Sequence, residues 1–350
     1  MSDTLIERRE LIEPRWWNGT PVIDPASYQL DASGYTVAEQ LDTDGELADR
    51  MRDTFDRIGI VHVVKTGLTE HSDMRSLAKH VHDGEMRYRA GANPRGALEP
   101  NVYEIGAPLQ AWLHYHHEMA YVATSTRMVS FLCKRELPGR GATFVSDNVR
   151  ATEAILETEF GRKLAELGVC YRRNLTDRTA FDGRAPIGVY NHWQQSLGTD
   201  DADEAEALAS GPGLQTQWGL DGMLETRFYV SAFEYFPTLD RNLLYSSVAD
   251  HYMWFDTWPL VEQLPIRQRP LWMTFGDDSD FTHDDLRTFV EVYDRFGSPL
   301  DWRIGDVGVI CNYRFAHGRP SIELGDDEER ELGVLLGEPF DRVGPHPAKW

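Results

Sequence analysis

The chain has 350 residues with 35 basic and 57 acidic side chains, a formal net charge of -22. A field of that sign repels phosphate backbones and anionic lipid surfaces, so neither nucleic acid nor a membrane is an expected partner. Hydrophobic content of 41% supplies a sizeable core, mean hydropathy of -0.46 fits a protein surrounded by water, and no apolar run reaches bilayer-spanning length.

Residues 1–35, with Trp16-Trp17-Asn18-Gly19 and several prolines, read as an N-terminal arm lying on the body. The first ten residues lack the apolar stretch of a secretion signal. Leu47, Met51, Phe55 and Ile58 fall at helical spacing and predict a helix from Asp44 to Ile58, ended by Gly59. Gly59 to Lys65 reads as a buried strand. A second helix is expected over about residues 70–82, with His80 and His82 on its exposed face, unable to share a metal at that spacing. Residues 113–147 read as two strands joined by the turn Leu137-Pro138-Gly139-Arg140-Gly141. One helix is expected from Arg150 to Leu167, closed by Gly168.

Residues 199–213 are acidic and Ala-rich, the pattern of a solvated surface helix ending in a turn. Thr226–Tyr235 reads as one strand, and Tyr252–Trp258 as an aromatic cluster serving core or interface. A helix over about 282–296 is capped by Thr282, with Asp284 and Asp285 in its first turn. Gly305 to Asn312 is a strand leading towards His317. Cys133, Cys170 and Cys311 are odd in number and scattered, which predicts buried thiols, no disulfide framework and a reducing cytoplasm.

Two short stretches carry the chemistry. Leu113-His114-Tyr115-His116-His117-Glu118 and Asn312-Tyr313-Arg314-Phe315-Ala316-His317-Gly318-Arg319 together offer His116, Glu118 and His317. Two imidazoles and a carboxylate with open positions opposite are the donor set of non-haem Fe(II) oxygenases. Residues two apart on a strand share a face, so His116 and Glu118 can reach one ion while His117 points away. On a helix they would diverge by about 200°. His117-Glu118-Met119-Ala120-Tyr121 begins like the zinc-protease signature, but Tyr121 stands where the second histidine is needed, so that reading fails. Ligands some two hundred residues apart also argue for one large domain over two. There is no glycine-rich nucleotide-binding motif and no internal repeat. Strands that bring distant ligands into one mouth suit an α+β fold with a double-stranded β-helix (jelly-roll, cupin-like) core and flanking helices. The domain layout expected is an arm over 1–35 and one jelly-roll domain over 36–350, with a helical and aromatic insertion around 190–265.

The motifs resemble the taurine dioxygenase (TauD/TfdA) superfamily of Fe(II)/2-oxoglutarate-dependent dioxygenases. Phe131 to Thr143 follows the His-x-Glu as in that family, and Asp306 with Asn312–Arg319 looks like its distal-ligand segment. The likeness is closest to the branch with glutamate as carboxylate, which includes clavaminate synthase and the syringomycin aspartate hydroxylase, and covers roughly residues 55–340. It implies Fe(II) on His116, Glu118 and His317, with 2-oxoglutarate and O2 as cosubstrates. Thr143 sits where the family places a hydroxyl on a 2-oxoglutarate carboxylate. Arg330, thirteen residues past His317, resembles the arginine that grips the distal carboxylate, and Arg319 is the reserve for that role. A guanidinium suits the task because it binds a carboxylate through two parallel hydrogen bonds and keeps its charge. The resemblance further implies oxidation of an unactivated C–H bond of an amino acid or a derivative in specialised metabolism, the substrate free or carrier-tethered. Hydroxylation is the commonest outcome; desaturation and ring closure use the same ligands, and the intact Glu118 speaks against halogenation. A homo-oligomer is compatible with the sequence. The reading of another class is a non-catalytic jelly-roll binding protein stabilised by its metal.

Overall fold

In the computed structural model, the described residues are 23–82, 84–88, 95–137, 139–179, 191–219, 221–248 and 265–350. The first 22 residues of the expected arm, Pro138 of the expected turn and the Tyr252–Trp258 cluster lie outside them.

In chain order, β1 (Gln29–Asp31) falls within the segment expected as an arm and pairs in parallel with β2 (Ile60–Val64). Between them runs the helix Glu46–Ile58, which buries Leu47, Ala48, Met51 and Phe55 on one face. Gly59 ends it at φ 88°, a left-handed conformation that side chains disfavour, with its N–H on the Phe55 carbonyl. The strands β3 (Ala97–Glu99), β4 (Val102–Tyr103), β5 (Leu113–His116), β6 (Thr124–Arg135) and β7 (Thr143–Asp147) follow. Next come β8 (Val169–Leu175), β9 (Leu214–Trp218), β10 (Leu224–Val230), β11 (Phe233–Phe236), β12 (Arg241–Leu244) and β13 (Leu271–Phe275). The last four are β14 (Gly297–Leu300), β15 (Val307–Cys311), β16 (Phe315–Arg319) and β17 (Glu331–Asp341).

Seven of these form a major sheet in the order β1-β2-β15-β6-β17-β4-β3, and four form a minor sheet in the order β14-β7-β16-β5. Phe131 and Val334 of the major sheet and His116, Thr143 and His317 of the minor sheet line one cavity, so the two sheets face each other across it. This is the jelly-roll core expected from the sequence. Helices Asn148–Leu156, Glu159–Leu167 and His283–Asp294 pack outside it, and Thr282 and Asp285 cap the last of them reciprocally.

Several expectations need correction. The helix expected over Arg150–Leu167 is two, because Thr158 leaves helical geometry and its hydroxyl caps the second by accepting from the Gly161 N–H. Residues 113–147 hold three strands, since the chain leaves the sheet between His116 and Thr124. Thr226–Tyr235 is likewise divided, into β10 and β11. The helix near residue 70 stops at Ala78, so His80 and His82 lie beyond it and are buried, with ring nitrogens on the carbonyls of Gln40 and Gly84. β9 and β10 join β8 and β13 in a separate four-stranded sheet, and β11 pairs with β12. The stretch around 190–265 expected as a helical and aromatic insertion holds, among its described residues, the helix Trp193–Leu197 and the strands β9 to β12. Its acidic part is the helix Ala202–Leu208, mostly exposed as expected. All three cysteines are free and buried.

Candidate metal centre and cosubstrate cavity

The pairing of β16 with β5 places His317 directly opposite His116, and the two rings stand 4.4 Å apart between centroids. A register shift follows between His317 and Arg319, the kind of irregularity that re-aims side chains beside a site. His116 holds Nδ1 against the His114 carbonyl at 2.8 Å, which makes that nitrogen the donor and leaves Nε2 its lone pair. His317 keeps Nδ1 buried without a hydrogen-bond partner among the described residues.

Glu118 arrives differently from what strand alternation suggests. β5 ends at His116, and Met119 takes a left-handed φ of 56°, so the carboxylate is turned in by a loop. Asn312 fixes that loop from behind. Its Oδ1 accepts from the Glu118 N–H at 2.9 Å and its Nδ2 donates to the Glu118 carbonyl at 3.0 Å. The Tyr245 hydroxyl and Ser125 Oγ reach the same carbonyl. One ligand atom each from His116, Glu118 and His317 lies within 4.8 Å of the others, the spread of donors around one ion. Burial alone would raise the Glu118 carboxyl, but the charges of Arg95, His317 and His116 outweigh it and hold the group well below the usual carboxylate range.

His117 points away, as expected. Its Nδ1 lies 3.1 Å from both the N–H and the carbonyl of Ser246, its ring packs on Tyr245, and burial pushes its pKa down to about 3. Replacing His117 with alanine should therefore lower stability by about 1–3 kcal/mol through the buried groups it strands. One Mn(II) should still bind per chain, measured by thermal melting beside equilibrium dialysis; loss of the metal in a folded variant would put the register out by one.

The cavity over these residues holds about 710 Å³ of empty space, its open mouth included. Thr143, Arg319 and Arg330 line it too. The Thr143 hydroxyl accepts from the Trp302 indole N–H at 3.0 Å, which leaves its own proton to donate. Arg330 stands just before β17 with Nη2 on the Gly141 carbonyl at 2.9 Å, and no described carboxylate pairs with it. Burial pushes its pKa down to about 10, the mark of a cation in want of an anion. Arg319 is committed elsewhere: Nη1 bonds the carbonyls of Leu109 and Pro320, and Nη2 that of Pro108 at 2.8 Å. The geometry brings all six sequence candidates to one cavity and ranks Arg330 above Arg319 as an anion receptor.

Arg95 escaped the sequence reading. Its Nη2 donates to Glu118 Oε1 at 2.9 Å, and its guanidinium lies 4.4 Å from the Tyr88 ring centroid. No motif or periodicity ties Arg95 to Glu118, so the contact becomes legible only in the fold.

The donor set fits Fe(II): two imidazoles and one carboxylate gathered on one side, with an open cavity on the other. A taurine dioxygenase from Burkholderia xenovorans shares the fold, with a TM-score of 0.51 at 14% identity over 91% of this chain and 89% of that one. The structure of AAD-2 in complex with Mn(II) and N-oxalylglycine aligns with a TM-score of 0.49 at 13% identity, covering 91% of this chain and 95% of that one. In sequence, a clavaminate synthase-like protein of Arabidopsis thaliana is 28% identical over 243 residues, 67% of this chain and 69% of the relative. The model of the family described as taurine catabolism dioxygenase TauD, TfdA family matches residues 23–336. The chain therefore belongs to the TauD/TfdA family and is a dioxygenase, with Fe(II), 2-oxoglutarate and O2 as its cofactor and cosubstrates.

Proposed function

We propose that this enzyme hydroxylates an unactivated C–H bond of an amino acid or amino-acid-derived small molecule in specialised metabolism. In this reading His116, Glu118 and His317 hold the iron, while Arg330 and Thr143 hold 2-oxoglutarate. The observation that carries it is one cavity lined both by the three donors and by the buried Arg330 guanidinium, which has no carboxylate partner among the described residues. The catalytic unit is 36–350, since residues from Arg95 to Val334 contribute to that cavity. Three free, buried thiols support a reducing, cytoplasmic setting for it.

Bound iron supplies the redox chemistry, oxidative decarboxylation of 2-oxoglutarate coupled to oxidation of the substrate. The chain supplies position. Arg330 fixes the distal carboxylate by charge, the Thr143 proton adds a second hydrogen bond, and Asn312 keeps Glu118 aimed through both of its backbone groups. Phe131, Met119 and Val334 wall the cavity with apolar surface that excludes water from the reacting centre.

Succinate formation under air tests the reading. Fe(II) with 2-oxoglutarate should yield slow, uncoupled succinate, and omitting either should stop it. No succinate above a Glu118→Ala control would favour the metal-stabilised binding protein instead.

A further inference from the structure

Arg95 has work left after its pairing with Glu118. Glu118 divides its oxygens: Oε2 faces His317 Nε2 at 3.8 Å, and Oε1 accepts from Arg95 Nη2 at 2.9 Å. A metal held through Oε2 therefore leaves the Arg95 contact intact. The Arg95 side chain is 11% exposed, and its Nε and Nη1 are buried with no hydrogen-bond partner among the described residues. Buried donors without partners are rare, and a charged one beside an open cavity is a receptor in want of an acceptor.

The local charge agrees. Among the described lining residues, Arg95, Arg319 and Arg330 stand against a single carboxylate, Glu118. A divalent ion adds two positive charges and a dicarboxylate cosubstrate removes two, so the cavity stays cationic inside a chain of net charge -22. The remaining excess calls for an anion on the substrate itself.

We infer that Arg95 is a specificity residue that takes the carboxylate of the organic substrate, anchoring it beside the metal through Nη1 while Nη2 stays on Glu118. This rests on the function proposed above and narrows it to substrates with a free carboxylate. Carrier-tethered substrates, whose carboxyl is consumed in the linkage, would then need a second acid group. The Tyr88 ring under the guanidinium supports the same placement, because a cation held over an aromatic face is fixed in plane while its edges remain free to donate.

The test is equilibrium binding, by calorimetry, to Mn(II)-loaded protein with 2-oxoglutarate saturating, so that the subsite of the cosubstrate is filled. The probes are the proteinogenic L-amino acids and short straight-chain carboxylic acids, each beside its methyl ester. At least one acid should bind about tenfold more tightly than its ester. The preference should vanish in Arg95→Gln and return in part in Arg95→Lys, which keeps the charge but loses the planar fork. An ester bound as well as its acid throughout the panel overturns the inference, as does a preference that survives Arg95→Gln. No binding anywhere in the panel also overturns it. Because the wild-type comparison needs no variant, poor folding of Arg95→Gln would not obscure the answer. Succinate formation by the wild-type enzyme, run in parallel, separates failure of this inference from failure of the dioxygenase reading.

Discussion

Alanine in place of His116, Glu118 or His317 is expected to remove bound metal and all measurable turnover. Each residue contributes one of three protein donors gathered within 4.8 Å. Changes outside the ligand shell already cost about 10–100-fold in metal affinity, so loss of a ligand should exceed about 100-fold. Glu118→Ala carries a further cost, because Arg95 would be left buried without its counter-charge, a loss of about 3–5 kcal/mol in stability. Glu118→Gln keeps the shape and the Asn312 contacts to the backbone, and so separates ligand loss from unfolding. The measurements are metal per chain by equilibrium dialysis and thermal melting of the same samples. A folded Glu118→Gln variant that retains full metal affinity would remove the carboxylate from the ligand set.

How much of this site could be read from the sequence depends on whether the information is local. The two histidines were legible because each sits in a short distinctive stretch, and the pairing of β5 with β16 then places them opposite one another. The position of Glu118 was right for a partly wrong reason: alternation predicts a shared face, yet the strand ends at His116 and a left-handed Met119 turns the carboxylate inward. Arg330 was singled out by the family resemblance, thirteen residues past His317, and the fold brings it to the same cavity. Helix boundaries failed where a single cap intervened, as at Thr158. His80 and His82 were misread because a backbone carbonyl, which no side-chain pattern reports, meets one nitrogen of each ring in the interior. Arg95 and the hold of Asn312 on Glu118 are long-range contacts between segments with no common periodicity. Such contacts are where sequence reasoning stops and tertiary geometry decides.

Arg330→Gln should raise the 2-oxoglutarate requirement steeply. Truncating one partner of a buried, hydrogen-bonded charge pair costs about 2–5 kcal/mol, which corresponds to about 30- to 5,000-fold in affinity. The free protein should respond in the opposite sense. Arg330 is a largely buried cation whose pKa burial lowers to about 10, and its Nη2 donates to the Gly141 carbonyl. Relieving it of charge should leave the melting temperature unchanged or raise it, since an unpaired buried charge opposes folding. Arg319→Gln should show the converse pattern. Its guanidinium ties the carbonyls of Pro108, Leu109 and Pro320 together, so stability should fall while 2-oxoglutarate affinity shifts less. Calorimetric titration of 2-oxoglutarate into the Mn(II) forms, set beside melting curves of the metal-free proteins, distinguishes a binding arginine from a structural one. The reverse ranking, with Arg319→Gln losing cosubstrate affinity and Arg330→Gln losing stability, would reassign the clamp to Arg319.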